Sequence, residues 1–305
     1  MNRRTAITAL VGTAAAACGV TTARAGTHGA GATTGAKATS AKAVGLLYDA
    51  TMCVGCLACV SGCAEAQAAR MAEEGRLYQE SRKLTPQART AVRTVKHGEA
   101  ECYMKQQCMH CIDPGCVSAC MMGALSKDER GIVSWDGDRC VGCRYCQVAC
   151  PFNVPRFEWN NARNPRIVKC EMCWPRQDKG ERPACVESCP AEAVIFGKRE
   201  ELLTEAHRRL KESPDGYVPR ILGERDAGGT QVMMLSSVSF AELGVPDVGD
   251  EPIPQTVRDV QGTLYNGFIA PTVLYGVLAA VVWRNHRMTP ETNDGPEEAE
   301  HVGPR

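Results

Sequence analysis

"CVGCRYCQVACPFNVP", Cys140–Pro155, holds four cysteines in eleven residues, and a proline follows the last of them. A near copy, "CVGCLACVSGC", spans Cys53–Cys63. The whole chain has 305 residues and 18 cysteines. With Cys18 set aside near the N-terminus, sixteen of the others fall into four groups. Group one is Cys53, Cys56, Cys59 and Cys63, spaced C-x2-C-x2-C-x3-C, and group three is Cys140, Cys143, Cys146 and Cys150 with the same spacing. Group two is Cys108, Cys111, Cys116 and Cys120, spaced C-x2-C-x4-C-x3-C. Group four is Cys170, Cys173, Cys185 and Cys189, spaced C-x2-C-x11-C-x3-C. Cys102 is left over.

Three chemistries compete for such a set. Disulfides suit an oxidising compartment, but the repeated C-x2-C pairs are too regular for loop staples. Zinc takes four thiolates, usually from two separated C-x2-4-C pairs. Three close cysteines with a fourth after x3 are the bacterial ferredoxin pattern for [4Fe–4S] clusters, and it occurs here twice. In two-cluster ferredoxins the fourth cysteine ligates the neighbouring cluster. Groups one and three share "CVGC", while groups two and four end differently, in "CMMGAL" and "CPAEAV". A ferredoxin-like unit needs one half-motif of each kind. Groups two and three form one unit, and groups one and four form another that it splits. The expected ligand sets are Cys53, Cys56, Cys59 with Cys189; Cys170, Cys173, Cys185 with Cys63; Cys108, Cys111, Cys116 with Cys150; and Cys140, Cys143, Cys146 with Cys120. The expected cofactors are therefore four [4Fe–4S] clusters. Met121 stands where a proline is expected after Cys120 and removes no ligand. The fourth cysteine of each group is expected at the start of the following helix.

Composition fits a chain held together by metal. Aromatic residues make up only 5 %, so cysteine ligation replaces part of the core. Lys plus Arg and Asp plus Glu both number 35, and zero net charge gives no reason to expect nucleic acid. At the N-terminus, Arg3-Arg4 precedes a weakly apolar stretch that closes at Ala23-Arg24-Ala25, the pattern of a twin-arginine export signal over residues 1–25. The alternatives are a disordered Ala-rich tail, an uncleaved anchor, or a lipoprotein box ending at Cys18. That route carries folded cargo, which suits clusters assembled inside the cell. "TLYNGFIAPTVLYGVLAAVVW", Thr263–Trp283, is 21 residues without charge, about the length of one membrane crossing. "RNHR" follows it and places the tail on the cytoplasmic side. The alternative is a buried core helix.

The expected class is α+β: two bacterial-ferredoxin-like 2×[4Fe–4S] units, one inserted in the other, plus one C-terminal transmembrane helix. The expected division is a signal (1–25), a linker (26–42), a split first unit (43–99 and 166–200), an inserted second unit (100–165), an extension (201–260), a transmembrane helix (261–284) and a cytoplasmic tail (285–305). "VGLLYDA", "GIVSWDGDRC", "AVIFG" and "GGTQVMMLSSV" read as strands. Leu202, Leu203, Ala206 and Leu210 line one face of a helix from Lys198 to Lys211. Lys105, Arg144 and Lys169 flank cysteines, either tuning clusters by charge or lying solvated on the surface. His110 is expected to support ligands rather than to be one, Trp174 to shield a cluster or pack, and Cys102 to be a small buried side chain. No phosphate loop, H-E-x-x-H or nucleophile elbow is present, so the chain carries redox centres and no catalytic residue of its own.

"KQQCMHC", "CVGCRYCQVACPFNVP", "KCEMC" and "CVESCPAEAVIFGKREEL", in this order, resemble the electron-transfer subunits of membrane-bound oxidoreductases. With the twin-arginine leader and the single C-terminal helix, the chain resembles the HybA-like iron–sulfur subunits of periplasmic, membrane-bound [NiFe] hydrogenases of the hydrogenase-2 type. That resemblance implies a site outside the inner membrane, with electrons taken from the hydrogenase small subunit beside its large subunit. It implies their delivery to an NrfD-like integral membrane quinone-reactive subunit. Two other readings stay open: the same wire serving a formate dehydrogenase or a sulfur-compound reductase, and an exported zinc-binding structural protein.

Overall fold

Val44–Asp49, "VGLLYD", forms a strand buried on both faces, and the rest of the body is arranged around it. The computed structural model describes residues 40–73, 82–161 and 165–288; within its helices the side chains of 69–73, 256–266, 269, 270 and 288 lie outside the described residues. All of these belong to a unit running from Lys37 to Arg305. The expected signal and all but the end of the expected linker lie outside the described residues.

In chain order the elements are β1 (Val44–Asp49), α1 (Ala58–Glu73), β2 (Ala91–His97), β3 (Ala100–Gln106), α2 (Gly115–Ser118), β4 (Leu125–Lys127), β5 (Val133–Trp135), α3 (Tyr145–Val148), β6 (Arg156–Phe157), β7 (Ile167–Val168), α4 (Trp174–Gln177), α5 (Ala184–Glu187), β8 (Val194–Lys198), α6 (Arg199–Glu212), β9 (Val232–Leu235) and α7 (Ile253–Met288). β1 pairs antiparallel with β8, with Leu46 opposite Phe196, and parallel with β9, with Leu46 opposite Val232. Successive side chains of a strand point to opposite faces. Leu46 and Tyr48 therefore join Val194, Val232 and Met234 in the core on the cysteine side. Leu47, Met233 and Leu235 join Leu202, Ala206 and Ile221 beneath α6, with Leu203 and Leu210 packed against them. The apolar face expected on that helix is the one it buries.

The same local pattern occurs twice. β8, after group four, pairs with β1, before group one. β4, after group two, pairs with β5, before group three. Likewise α1 packs on α5, and α2 packs on α3. All four cysteine groups lie in sequence between β1 and β8. The β2–β3 hairpin, Ala91–Gln106, turns at Gly98 and is tied to β1 by the Tyr48 hydroxyl, which donates to the Tyr103 carbonyl at 2.7 Å. "GGTQVMMLSSV" is a strand only over its apolar part: Gly228 and Gly229 have φ of 80° and 88°, and pairing with β1 begins at Val232.

The C-terminal region corrects an expectation. Helix α7 runs through the whole Thr263–Trp283 stretch and contains Pro271. Among the described residues, however, no helix is long and apolar enough to cross a membrane. The single-pass transmembrane helix, and the membrane topology built on it, are therefore not supported by the fold. Residues 289–305 of the expected cytoplasmic tail lie outside the described residues.

Asp49 closes the sheet onto α6 and is fully buried. Its Oδ1 accepts from Thr51 N at 3.0 Å, and its Oδ2 accepts from Arg209 Nη1 and the Tyr217 hydroxyl at 2.9 Å each. Removing one member of such a network strands the other. Asp49→Ala is expected to cost about 3 kcal/mol, seen as a lower midpoint in thermal unfolding of the cluster-loaded protein. An unchanged midpoint would show that the network is not a clamp.

Candidate iron–sulfur sites

Each cysteine group begins with a tight loop. The residue two after its first cysteine is left-handed every time: Gly55 at φ 67°, His110 at 48°, Gly142 at 70° and Met172 at 50°. A left-handed turn in such a loop aims successive amide N–H groups inward, forming a concavity for anions. Met172 N donates to the Cys170 sulfur at 3.3 Å, and Val154 N to the Cys150 sulfur at 3.5 Å. Groups one and three use glycine at this position. Groups two and four place His110 and Met172 there, at a conformational cost of about 1–2 kcal/mol each, and both side chains are fully buried.

The next cysteines show a difference from expectation. The third cysteine, not the fourth, opens the short helix: Cys59 on α1, Cys116 on α2, Cys146 on α3 and Cys185 on α5. Cys120, Cys150 and Cys189 follow just beyond their helices, while Cys63 lies further along α1. On α1 the x3 spacing puts Cys59 and Cys63 one helical turn apart on the same face, about 6 Å along the axis. One turn thereby presents thiols to two neighbouring positions.

The packing brings the groups together across the sequence. Cys185 lies in the core with Cys53, Cys59 and Cys189 against it. Cys108 packs with Cys170, and Cys150 lies against them. Cys116 packs with Cys146, with Cys120 and Cys140 alongside. A small cavity is lined by Cys120, Cys140, Cys143 and Cys146 together, with Leu125, Trp135 and Ile167 as walls.

The electrostatics follow the same gatherings. Burial pushes the Cys59 thiol up, the Lys105 ammonium pulls it down, and negative charge at Cys53, Cys189 and Cys56 pushes it up again. Burial holds Cys63 well above the usual thiol range, and Cys170, Cys185 and Cys173 add to that. Cys111 is held well above it by burial and by Cys108, Cys150 and Cys116. Cys146 is pushed up to about 12 by burial, then by Cys116, Cys140, Cys120 and Cys143. Thiols this crowded stay neutral until a cation takes the proton's place.

These donor sets fit thiolate-ligated iron–sulfur clusters. All seventeen described cysteines are free thiols. Among the described residues, no three His, Cys, Asp or Glu side chains converge on a single metal ion. Two buried ring nitrogens also lack a protein partner: Trp135 Nε1, on the wall of the four-cysteine cavity, and His110 Nε2, between Cys108 and Cys111. His110 Nδ1 accepts from Val133 N at 2.9 Å, so its proton sits on Nε2. Burial holds this imidazole well below its usual range, and Lys169 and Lys127 add to that. Each nitrogen is a donor available to a group held beside it.

The remaining singled-out residues separate cleanly. Lys105 and Lys169 are buried, not solvated. Arg144 is exposed, with its guanidinium 5.3 Å from the Phe157 ring and 4.6 Å from the Trp159 ring. Trp174 is 36 % exposed and only partly shields its neighbours. Cys102, on β3 opposite Val95, packs half-buried against the core. Cys56 and Cys143 reach the surface, flanked by exposed Val54 on one side and Val141, Tyr145 and Val148 on the other. Sequence reasoning missed the hairpin that carries Lys105 and the buried ion pair of Arg89 with Glu171, 2.6 Å long. The alternation in "VRTVKHGEAECYMK" around His97-Gly98 was the available signal.

A model of the 4Fe-4S dicluster domain matches residues 100–199. The chain is 38% identical over 293 residues to "Hydrogenase-2 operon protein HybA" of Escherichia coli O157:H7, covering 84% of this chain and 88% of that protein. It is 35% identical over 249 residues to "Formate dehydrogenase, nitrate-inducible, iron-sulfur subunit" of Escherichia coli (strain K12), covering 77% of this chain and 81% of that one. It is 37% identical over 197 residues to "Formate dehydrogenase iron-sulfur subunit" of Haemophilus influenzae, covering 61% and 62%.

The loop geometry is open to a direct check. A Cβ at Gly55 would lie 2.2 Å from the Tyr103 ring, at a φ that disfavours side chains, while Gly98 has φ 61° with open space around it. Gly55→Val is expected to lower the iron bound per chain, and Gly98→Asn to leave it unchanged. Equal iron in both variants would contradict the account of the loop.

Proposed function

The chain belongs to the HybA-like iron–sulfur electron-transfer subunits, and on that premise we propose that it is a wire of four [4Fe–4S] clusters serving a [NiFe] hydrogenase. The observation that carries the reading is the cavity where Cys120 of group two meets Cys140, Cys143 and Cys146 of group three, and the influence of Cys189 on Cys59, of Cys170 on Cys63 and of Cys150 on Cys111 supports the same crossing elsewhere. Cys53, Cys56, Cys59 and Cys189 hold the first cluster. Cys63, Cys170, Cys173 and Cys185 hold the second. Cys108, Cys111, Cys116 and Cys150 hold the third, and Cys120, Cys140, Cys143 and Cys146 the fourth.

The packing supports a linear order. Cys185 beside Cys59 joins first to second, Cys170 beside Cys108 joins second to third, and Cys116 beside Cys146 joins third to fourth. The clusters supply one-electron transfer at each position. This chain's residues hold them close, exclude water from the middle pair and bring the end pair to the surface at Cys56 and Cys143. The apolar collar of Met121, Val141, Tyr145 and Val148 around the fourth quartet suits a protein partner.

One end takes electrons from the hydrogenase small subunit, and the other delivers them to an NrfD-like quinone-reactive membrane subunit. The exposed apolar residues of α7, among them Val273, Leu274 and Val281, pack on that membrane subunit. Arg3-Arg4 supports export of the folded, cluster-loaded body to the periplasm. The chain itself performs no catalysis. The formate dehydrogenase relatives keep a second reading open, in which the same wire serves that enzyme.

Electron paramagnetic resonance of the purified complex distinguishes the two. Hydrogen alone is expected to generate several interacting reduced [4Fe–4S] signals. If hydrogen leaves the clusters oxidised while formate reduces them, the hydrogenase assignment is overturned and the wire belongs to a formate dehydrogenase. Cys59→Ser should remove the first cluster and about four iron atoms per chain; loss of no iron would contradict the ligand set.

A further inference from the structure

Two lysines are buried deep in the cysteine body, and among the described residues no carboxylate bonds either of them. Lys105 is fully buried on β3. Its Nζ donates to Thr90 Oγ1 at 2.5 Å and to Gln107 Oε1 at 2.6 Å, both neutral acceptors. Lys169 is 2 % exposed. Its Nζ donates to the backbone carbonyls of Val133 and, at 3.1 Å, Cys170. Arg89, a third buried cation in the same region, is different: it bonds Glu171 and its charge is cancelled locally.

An uncompensated ammonium in a protein interior costs several kcal/mol. Nature of the partner follows from position. The Lys105 charge acts on Cys59 of the first quartet and on Cys63 and Cys185 of the second. Lys169 bonds the carbonyl of Cys170 in the second quartet, and its charge acts on Cys108 and Cys116 of the third. Each lysine therefore sits at a junction between quartets, where the packing already brings Cys59 near Cys185 and Cys170 near Cys108. At the third junction, Cys116 with Cys146, the Lys169 charge acts on Cys116, while the largest influences on Cys146 after burial are neighbouring thiols, and Arg144 nearby is exposed and stacked on aromatic rings.

We propose that Lys105 and Lys169 are fixed countercharges at the two inner junctions of the wire, holding up the reduction potentials of the clusters on either side of each. This rests on the four-cluster reading above. A [4Fe–4S] cluster with four thiolates carries a net charge of about −2 when oxidised and about −3 when reduced. A nearby positive charge therefore favours the reduced form, strongly so where water is excluded. In each hop one cluster loses an electron and its neighbour gains it, and no bond forms or breaks. A charge shared by two neighbours raises both, so it keeps them matched while setting them above a cluster that lacks one. The fourth quartet, without a lysine, is left at the lower end by this device.

The test is a redox titration followed by electron paramagnetic resonance on the full cluster-loaded chain, poised with dithionite and chemical mediators. It needs no hydrogen, so it stands whichever enzyme feeds the wire. Iron content reports separately whether the clusters are present, and single-ligand variants assign each signal. Lys105→Met is expected to reduce the ratio of reduced to oxidised clusters about tenfold or more at fixed ambient potential, for the first and second clusters only. Lys169→Met should do so for the second and third only. The fourth should respond to neither. If a Met variant loses iron, Lys105→Gln or Lys169→Gln, which keeps a donor in place, is titrated and read in the same way. Full iron content with unshifted potentials, or an equal shift of all four, would overturn the proposal.

Discussion

The fold depends on burying thiolate charge. Seven of the described cysteines, Cys63, Cys108, Cys116, Cys146, Cys170, Cys173 and Cys185, are buried, and a crowded buried thiol is held above its usual range by burial and by its neighbours. Without metal these positions are an apolar core of small, neutral side chains. With metal they become strong ligands, and the binding free energy becomes folding free energy. This explains why a body with so few aromatic residues needs no larger core. The short helices α2, α3 and α5 have four residues each, and each carries the third cysteine of its group with the fourth just beyond it.

A second consequence is the crossing of groups. On α1, Cys59 and Cys63 stand one turn apart, and in the other groups the fourth cysteine follows just beyond the helix that carries the third. Segments far apart in sequence meet, Cys63 with Cys170 and Cys59 with Cys189, and in the proposed reading these meetings complete the quartets. The strand pairings of β1 with β8 and of β4 with β5 make that meeting, and each sets a C-x3-C ending beside a CVGC loop. The cluster sites and the sheets thus specify one another.

The spacing of the cysteines was the strongest signal in the sequence, because ligand geometry constrains residues one by one. Glycine at positions 55 and 142 signalled the left-handed turns, whereas His110 and Met172 adopt the same turn without any such signal. The helix face of Leu202, Leu203, Ala206 and Leu210 was readable from its period. The parallel pairing of β9 with β1 was not, since a short apolar run does not reveal its partner. The burial of Lys105 and Lys169 was equally hidden: a lysine beside a cysteine looks the same in sequence whether it is solvated or enclosed, and only the packing of β3 and β7 decides. The uncharged stretch before Trp283 suggested a membrane crossing by length and composition, and it is part of a longer helix that the described residues do not support as one.

The central claim is that four quartets of cysteines, crossed between groups, stand in a line. The most direct test is a crystal structure of the cluster-loaded chain with anomalous scattering recorded at the iron absorption edge. The account predicts four separate iron sites in a row, with Cys189, Cys63, Cys150 and Cys120 each ligating the cluster of another group. Fewer sites, or four cysteines of a single group closing on one cluster, would contradict it.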